Sequence, residues 1–293
     1  MRLQSLGEND ETVALSEFAE WIAGIGDGTI GDGENGKFKV EIPNHMLIGN
    51  DGDPLASIVD AIYPELDDGP ADPSYLKDRA ILAPTLALVD SVNHYMIERM
   101  SGECRTYYSS NSACSSDSCS DILADVHTPE FLSAIKCSGV PNHELKLKVG
   151  APVMLLRNID PGMGLCNGTR LLITRLGSHV LEGRIITGTN SGERVIIPRL
   201  SLTPSDVKVP FKFQRRQFPV MISYAMTINK SQGQSLSQVG LYLKQSVFSH
   251  GQFYVAVSRV TNPRGLKILL FGEEDEEKKH AVNVVYKEIF ENL

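Results

Sequence analysis

The sequence lacks the features that mark membrane-embedded and secreted proteins. Its 293 residues contain no apolar run that approaches the roughly 20 residues a membrane-spanning helix needs. The opening stretch MRLQSLGENDE also lacks the apolar core of a secretory signal. We therefore expect a protein that is not secreted and has no membrane partner.

Cysteine is scarce, and its spacing fits neither a disulfide framework nor a zinc ribbon. The five cysteines form no C-x-x-C pair; they are Cys104, Cys114, Cys119, Cys137 and Cys166. An odd number without paired spacing is typical of reduced thiols in a nuclear or cytosolic protein. His127 and His143 lie too far from these cysteines to predict a metal site.

Charge is distributed unevenly along the chain, although the net charge is only −8. Residues 1–140 carry 8 basic and 24 acidic side chains, a net charge of −16. Residues 141–271 carry 17 basic and 5 acidic side chains, a net charge of +12. A basic segment in an acidic chain indicates a polyanionic partner such as nucleic acid, or attraction between two oppositely charged halves.

The first half of the chain predicts a mixture of helices and strands. Apolar residues at helical spacing predict a helix over 10–23, which the glycines from position 24 onward would end. Residues 79–83 (RAILA) predict a strand, and Thr85 is placed to cap the helix that follows it.

From about residue 142 the apolar residues alternate with polar ones. Lys146 and Lys148 share one face of the segment 144–149, and apolar residues occupy the other face. Further short apolar runs follow at 153–156, 171–176, 180–186 and 194–197. Short strands at this spacing predict a small β-barrel or a meander.

After residue 218 strands and helices alternate. Residues 218–225 predict a strand, 227–233 a helical turn, 239–243 a strand, 250–260 a helix and 266–271 a last strand. This order predicts an α/β domain in which helices cover a parallel sheet.

Two glycine-rich segments match phosphate-binding motifs, but their neighbouring residues exclude a phosphate site of either kind. Residues 26–31 match G-x-G-x-x-G, but they follow a helix instead of a strand and include an acidic residue. Residues 31–37 match G-x-x-x-x-G-K, but Phe38 stands where magnesium ligation needs Ser or Thr. The segment that follows reads as a strand, whereas a phosphate loop must open a helix.

A dense polar cluster follows the strand at 218–225. Its members are Thr227, Asn229, Lys230, Ser231 and Gln232. A loop at the carboxyl edge of a parallel sheet faces the ligand crevice, where such side chains can hydrogen-bond a phosphodiester backbone without reading bases. The alternative is a polar loop that only caps the strand.

Arg259 stands at the end of the apolar helix FYVAVSRV. A permanent cation at a helix end beside a sheet crevice can reach a phosphate held by a neighbouring domain. An ordinary interaction with the helix dipole explains its position equally well.

Several stretches resemble a known family, the petite-integration-frequency (PIF) DNA helicases. Residues 225–236 (AMTINKSQGQSL) and 247–269 (VFSHGQFYVAVSRVTNPRGLKIL) resemble the family's late helicase motifs. Residues 145–160 resemble its inserted β-barrel subdomain, and residues 81–93 its strand-Pro-Thr-helix element. Asn229 replaces the histidine of most members, as in the branch found in plant Helitron transposons.

This resemblance implies a second RecA-like domain, with a parallel sheet and flanking helices, that carries an inserted small β-barrel. Residues 1–128 would form its first part, 129–218 the barrel, and 219–293 the remainder with the late motifs and an acidic tail. In the full-length family ATP and Mg²⁺ bind between this domain and an N-terminal RecA-like domain. We expect that domain to be missing here, so that no complete nucleotide site is present.

The resemblance also implies roles for individual residues. Arg259 would be the arginine finger, Gln232 and Gly233 would lie against the nucleotide, and Arg2 would be a second phosphate sensor. The residues implied to contact the DNA backbone are Thr227, Asn229, Lys230, Ser231 and Thr85. The cations that would extend the DNA path over the barrel, or else form a solvated face, are Lys146, Lys148, Arg157 and Arg170.

The function implied is ATP-dependent 5′-to-3′ translocation on single-stranded DNA with unwinding of the duplex. The expected location is the nucleus, with mitochondria as the site of some relatives. Two hypotheses stay open. The chain is either the C-terminal portion of such a helicase, inactive without its first domain, or a non-catalytic nucleic-acid-binding remnant of a transposon-derived helicase gene.

Overall fold

The computed structural model describes residues 10–49, 52–64, 72–113, 128–137, 139–204, 211–272 and 279–289. The α-helices in these ranges are α1 (Asp10–Asp27), α2 (Pro54–Ile62), α3 (Pro73–Lys77), α4 (Leu86–Arg99), α5 (Pro129–Ala134) and α6 (Gln252–Val257). The strands up to residue 155 are β1 (Asp32–Glu34), β2 (Lys37–Glu41), β3 (Arg79–Ala83), β4 (Cys104–Tyr108), β5 (Ser110–Ala113), β6 (Glu144–Lys148) and β7 (Pro152–Leu155). The later strands are β8 (Arg170–Leu176), β9 (Val180–Ile185), β10 (Arg194–Pro198), β11 (Leu200–Leu202), β12 (Phe213–Gln217), β13 (Val220–Ile222), β14 (Ala225–Thr227), β15 (Gln238–Leu243), β16 (Leu266–Leu270) and β17 (His280–Val284).

The chain divides into two compact units. The first unit comprises 1–68, 78–96 and 224–293, and the second comprises 69–77 and 97–223. Each of the two segments of the second unit is therefore flanked along the chain by segments of the first. The limits of these units differ from the domain boundaries predicted at 128/129 and 218/219. The second unit begins before residue 128 because β4 and β5 pair with its strands.

A four-stranded parallel sheet forms the centre of the first unit, in the order β14-β3-β15-β16. Ala225 lies opposite Ile81, and Val239 lies opposite Leu266. The inner strands β3 and β15 are almost entirely buried, as expected for a parallel sheet covered on both faces. The parallel sheet predicted from the order of elements is confirmed.

Helix α2 packs on this sheet at a position that requires glycine. Asp53 caps the helix by accepting a hydrogen bond from the Leu55 backbone N–H at 3.0 Å. Ile58 and Ile62 then lie against Gly240 of β15. A Cβ at Gly240 would lie 2.6 Å from Ile62 Cγ1, so a larger residue would push the helix away from the sheet.

Three predictions for the first unit need correction. Helix α1 passes the glycine at 24 and ends at Asp27, because burial of Ile25 and a 2.7 Å hydrogen bond from Asn283 to its carbonyl stabilise the last turn. The segment 218–225 is interrupted, with β13 pairing in the second unit and β14 in the first. Strand β16 is followed by β17, which pairs with β2 in an antiparallel sheet with β1.

The second unit is built on a five-stranded antiparallel ladder, in the order β10-β9-β8-β7-β13. Each predicted apolar run from 153 to 197 lies on one of these strands. The antiparallel ribbon of β4 and β6 contributes Tyr107, Leu145 and Leu147 to the same hydrophobic core. Among the described strands, the two end strands of the ladder do not pair with each other, so closure into a barrel remains a prediction.

A smaller antiparallel sheet, β11-β12-β5, completes the second unit together with α5. Thr128 caps α5 by accepting a hydrogen bond from the Phe131 backbone N–H at 3.2 Å. Leu132 of the helix packs with Leu202 and Phe213 of the sheet. This sheet gives the second unit a second small core.

Candidate functional site

The loop at 227–234 leaves the carboxyl end of β14 in the first unit. Residues Ile228–Ser231 form a 3₁₀ turn, and the side chain of Ile228 is fully buried beneath it. Gly233 has φ +82°, which favours glycine because an L side chain is strained there. We call residues 227–234 the sheet-edge loop.

The polar side chains of the sheet-edge loop differ in exposure. Asn229 and Gln232 are exposed, and Thr227 and Lys230 are partly exposed. Ser231 is fully buried, and its hydroxyl donates to the Ile228 carbonyl at 2.6 Å. This placement favours a bracing role for Ser231 over the predicted contact with DNA.

Arg259 follows α6, and its guanidinium reaches the sheet-edge loop. Nε donates to the Val255 carbonyl at 2.8 Å, and one terminal nitrogen donates to Ser258 Oγ at 2.9 Å. The other terminal nitrogen donates to the Gln234 carbonyl at 3.2 Å. The two motif stretches that the sequence singled out therefore meet within hydrogen-bond distance.

The Arg259 guanidinium keeps donors for an anion. Arginine has five N–H groups, and three hydrogen bonds within the described residues use three of them. One N–H on each terminal nitrogen remains, and guanidinium N–H groups bind phosphate or carboxylate well. Burial lowers the pKa of Arg259, and the nearby Tyr254 raises it, but arginine stays protonated at neutral pH.

A backbone hydrogen bond fixes the distance between the two motif stretches. The Leu236 N–H donates to the Arg259 carbonyl at 2.9 Å, and Leu236 and Val260 form a parallel β-bridge. Because main-chain bonds hold both segments, the geometry does not depend on the Arg259 side chain alone.

Thr85 lies at the same edge of the sheet as the loop. It follows β3, whose residue Ala83 is the register partner of Thr227. Its carbonyl accepts a hydrogen bond from the Val89 N–H at 3.2 Å in the first turn of α4. The carboxyl ends of β3 and β14 therefore bring Thr85 and Thr227 to one edge, as the predicted assignment to a common ligand requires.

The remaining predicted site residues lie elsewhere. Arg2 falls outside the described residues, and the cations at 146, 148, 157 and 170 belong to the second unit. Lys146 is exposed and forms an ion pair with Glu144, Nζ to Oε1 at 3.4 Å.

Lys148 and Arg170 do not lie on a solvated face. Lys148 is 9% exposed and donates to the Met100 carbonyl at 2.6 Å. Arg170 is fully buried and donates to the carbonyls of Lys77 and Ser223, both at 3.1 Å. The alternative of a solvated face is therefore wrong for Lys148 and Arg170, because their charged groups bond to backbone carbonyls inside the fold. The same burial argues against the predicted contact of these two residues with DNA.

Gln234 is a site residue that sequence reasoning missed. Its carbonyl accepts from Arg259, and its side-chain nitrogen lies 3.5 Å from the Lys230 carbonyl. Its side-chain oxygen is buried without a hydrogen-bond partner among the described atoms. The only signal in the sequence was its place inside the motif stretch 225–236.

The structure also bears on other kinds of site. The G-x-x-x-x-G-K match at 31–37 enters β2 at Lys37, which confirms that it does not open a helix. The part of the chain that is described contains no group of three or more His, Cys, Asp and Glu able to hold a metal ion. In the same part no helix is long and apolar enough to cross a membrane.

Comparison with known proteins points to one helicase family. The family model described as "DNA helicase Pif1, 2B domain" matches residues 130–176. The ATP-dependent DNA helicase PIF1 of Homo sapiens is 33% identical over 146 residues, covering 49% of this chain and 22% of the human protein. Its counterpart in Xenopus laevis is 29% identical over 193 residues, covering 62% of this chain and 26% of that protein.

The fold also resembles a solved structure. The crystal structure of Pif1 helicase from Candida albicans aligns with a TM-score of 0.58 and 21% identity, covering 94% of this chain and 57% of that chain. This similarity shows a RecA-like α/β fold with a parallel sheet. The chain spans about a quarter of the length of the two curated relatives. Both kinds of comparison therefore find similarity to helicases of the Pif1 family.

Proposed function

We propose that this chain is the C-terminal portion of a Pif1-family ATP-dependent DNA helicase that translocates 5′ to 3′ on single-stranded DNA. The first unit would be its second RecA-like domain, and the second unit would contain the inserted 2B barrel. The observation that carries the proposal is the hydrogen bond from Arg259 to the Gln234 carbonyl of the sheet-edge loop. It brings a phosphate-binding cation to the loop that the resemblance assigns to nucleotide and DNA.

The residues present fit one side of an ATP site. The two spare N–H groups of Arg259 suit a phosphate, and Gln232 and Gly233 are exposed beside it on the loop. ATP with Mg²⁺ would supply the phosphoryl group whose transfer to water releases energy. Arg259 would hold negative charge that develops on that group. Arg2 would be a further phosphate contact.

The start of the sheet-edge loop fits the backbone of single-stranded DNA. Asn229 is exposed, and Lys230 and Thr227 are partly exposed at the end of β14. Thr85 lies at the same edge after β3. Amide, ammonium and hydroxyl groups can all hydrogen-bond phosphate oxygens without reading base identity, which is what a translocating enzyme requires.

The opposite wall of the ATP site would come from an N-terminal RecA-like domain. Within this chain the G-x-x-x-x-G-K match enters a strand, so it cannot present helix N–H groups to a phosphate. That observation favours a second candidate for the chain acting alone, namely a non-catalytic nucleic-acid-binding remnant. The asparagine at position 229 supports the assignment of this chain to the Helitron-like branch of the family. A location in the nucleus remains a prediction.

Binding to single-stranded DNA tests the proposal. We expect the full chain to bind a fluorescent oligonucleotide at low salt in an anisotropy titration. Replacing Lys230 by Ala removes one phosphate contact, so affinity should fall several-fold and the salt slope should decrease by about 0.7. Lys39, which is exposed in β2 outside the parallel sheet, provides the matched control Lys39→Ala.

Two results would contradict the proposed site. The first is the absence of strand binding by the unmodified chain at low salt. The second is an equal loss of affinity in Lys230→Ala and Lys39→Ala, because that would show a general effect of charge instead of a site at the loop.

A further inference from the structure

Three arginines between residues 139 and 204 differ from the other cations of that segment. Between residues 139 and 204, five cations bond to carbonyls or to a carboxylate: Lys146, Lys148, Arg157, Arg170 and Arg199. Arg175, Arg184 and Arg194 form no hydrogen bond or ion pair with any described residue. Arg175 and Arg194 are exposed, and Arg184 is partly exposed.

The strand register places these three arginines on one face of the ladder. Arg184 of β9 lies directly opposite Arg194 of β10. The residues that alternate with them, Leu181 and Val195 among others, are buried in the core. Because side chains alternate between the faces of a sheet, both arginines point away from that core.

A β-bulge turns Arg175 to the same face. The pairing of β8 with β9 shifts between Ile173 and Arg175, so that Arg175 lies opposite Glu182 while Leu176 remains inside opposite Leu181. Without the extra residue, alternation would turn Arg175 inward. We call Arg175, Arg184 and Arg194 the outer arginine face.

The arrangement is unfavourable unless an anion is present. Like charges on directly opposite residues destabilise an antiparallel pair, and Arg184 and Arg194 are such a pair. Glu182 lies on the same face, but its carboxylate accepts a hydrogen bond from Thr174 Oγ1 at 3.0 Å. Glu193 is exposed just before β10. Neither carboxylate lies within ion-pair distance of the three arginines.

We propose that the outer arginine face binds the sugar–phosphate backbone of double-stranded DNA. This inference rests on the proposed function for the nature of the polyanion. The outward residues of β9 and β10 include Val180 and Ile196 but no aromatic residue. Single-strand surfaces depend on aromatic side chains that stack with bases, whereas arginines on an exposed sheet suit the phosphates of a duplex.

A matched pair of triple variants tests this inference in the full chain. The test variant is Arg175→Gln, Arg184→Gln and Arg194→Gln. The control variant, Lys136→Gln, Lys212→Gln and Arg216→Gln, removes the same charge from other exposed positions of the second unit. Anisotropy with a labelled blunt duplex and a labelled single strand gives affinities at several salt concentrations, and thermal melting checks that each variant is folded.

We expect the test variant to lose at least about tenfold in duplex affinity at low salt. Its salt slope should decrease by about 3, near 0.9 for each phosphate that an arginine no longer neutralises. The control variant should stay within about twofold of the unmodified chain, and binding of the single strand should change by no more than about twofold in either variant.

Three outcomes would overturn the inference: no duplex binding by the unmodified chain, equal losses in the two triple variants, or an equal loss of duplex and single-strand binding in the test variant. If Lys230→Ala still weakens strand binding in any of these cases, the proposed function stands and the outer arginine face is not a duplex site. If the unmodified chain binds duplex but not single strands, the proposed function fails by itself.

Discussion

Arg215 offers the sharpest test of how the second unit is held together. Its side chain is fully buried in β12, and no carboxylate of the described residues pairs with it. The guanidinium instead donates to four oxygens, those of the Asn111 side chain and the backbone carbonyls of Leu132, Ile135 and Pro141. These bonds join the sheet to the end of α5 and the chain that follows.

The expected effect of Arg215→Met follows from those bonds. Four oxygens would lose a donor, but the Asn111 oxygen keeps its hydrogen bond from Ser109 Oγ. Each of the three carbonyls left unsatisfied costs about 1 kcal/mol or more. Part of this is offset, because burial lowers the pKa of Arg215, which shows that holding the charged group inside the fold is itself unfavourable. We expect a net loss of about 3 kcal/mol in the free energy of unfolding.

Urea unfolding followed by circular dichroism measures this loss. The control is Arg216→Met on the same strand, whose side chain is exposed and whose replacement should change the free energy by less than about 0.5 kcal/mol. Fluorescence of Trp21 reports separately on α1 in the first unit. If Arg215→Met lies within about 1 kcal/mol of Arg216→Met, the carbonyls are satisfied in another way and the reasoning is refuted.

Two further predictions concern catalysis and pH. The chain alone should show no ATP hydrolysis stimulated by single-stranded DNA; with a first RecA-like domain added it should show hydrolysis that Arg259→Ala reduces by about 10³-fold or more, and turnover by the chain alone that Arg259→Ala abolishes would refute this. Burial, reinforced by Tyr63, raises the pKa of Tyr224 above its usual value. The neutral Tyr224 side chain should therefore make its full contribution to the free energy of unfolding below about pH 10. That contribution should fall as pH rises further, because the side chain then ionises only in the unfolded chain. In urea unfolding between about pH 9 and pH 11, Tyr224→Phe should flatten this fall and Tyr108→Phe, at an exposed position, should not; equal slopes in both variants would contradict the assignment.

Much of the sheet structure could be predicted because it depends on local patterns. The runs at 239–243 and 266–270 are continuous and apolar, as strands of a covered parallel sheet must be, and both are strands of that sheet. The alternation from residue 144 onward reflects a ladder with one buried face. The break within 218–225 could not be predicted, because both halves are apolar and only tertiary pairing separates them.

The placement of the cations could not be predicted from residue type. Alternation correctly assigned Lys146 to an exposed position, but Lys148 ends its strand within reach of the Met100 carbonyl. Arg170 and Arg215 are buried because loops distant in sequence present carbonyls to them. No local pattern reports such an arrangement, since it exists only after the sheets have packed.

The position of Gln234 suggests how the two halves of the candidate site would communicate. Residues assigned to DNA open the sheet-edge loop, residues assigned to nucleotide follow at 232 and 233, and the Gln234 carbonyl next to them accepts from Arg259. A phosphate bound by the spare N–H groups of Arg259 would pull on the same guanidinium that donates to this carbonyl. The 3₁₀ turn is held at its start by Ile228 and internally by Ser231, so a change at Gln234 would be passed along a short braced segment to Lys230 instead of being absorbed by a flexible one. We therefore expect nucleotide to alter the strand affinity of the complete enzyme, and we expect Ser231→Ala to weaken that coupling more than the strand affinity itself.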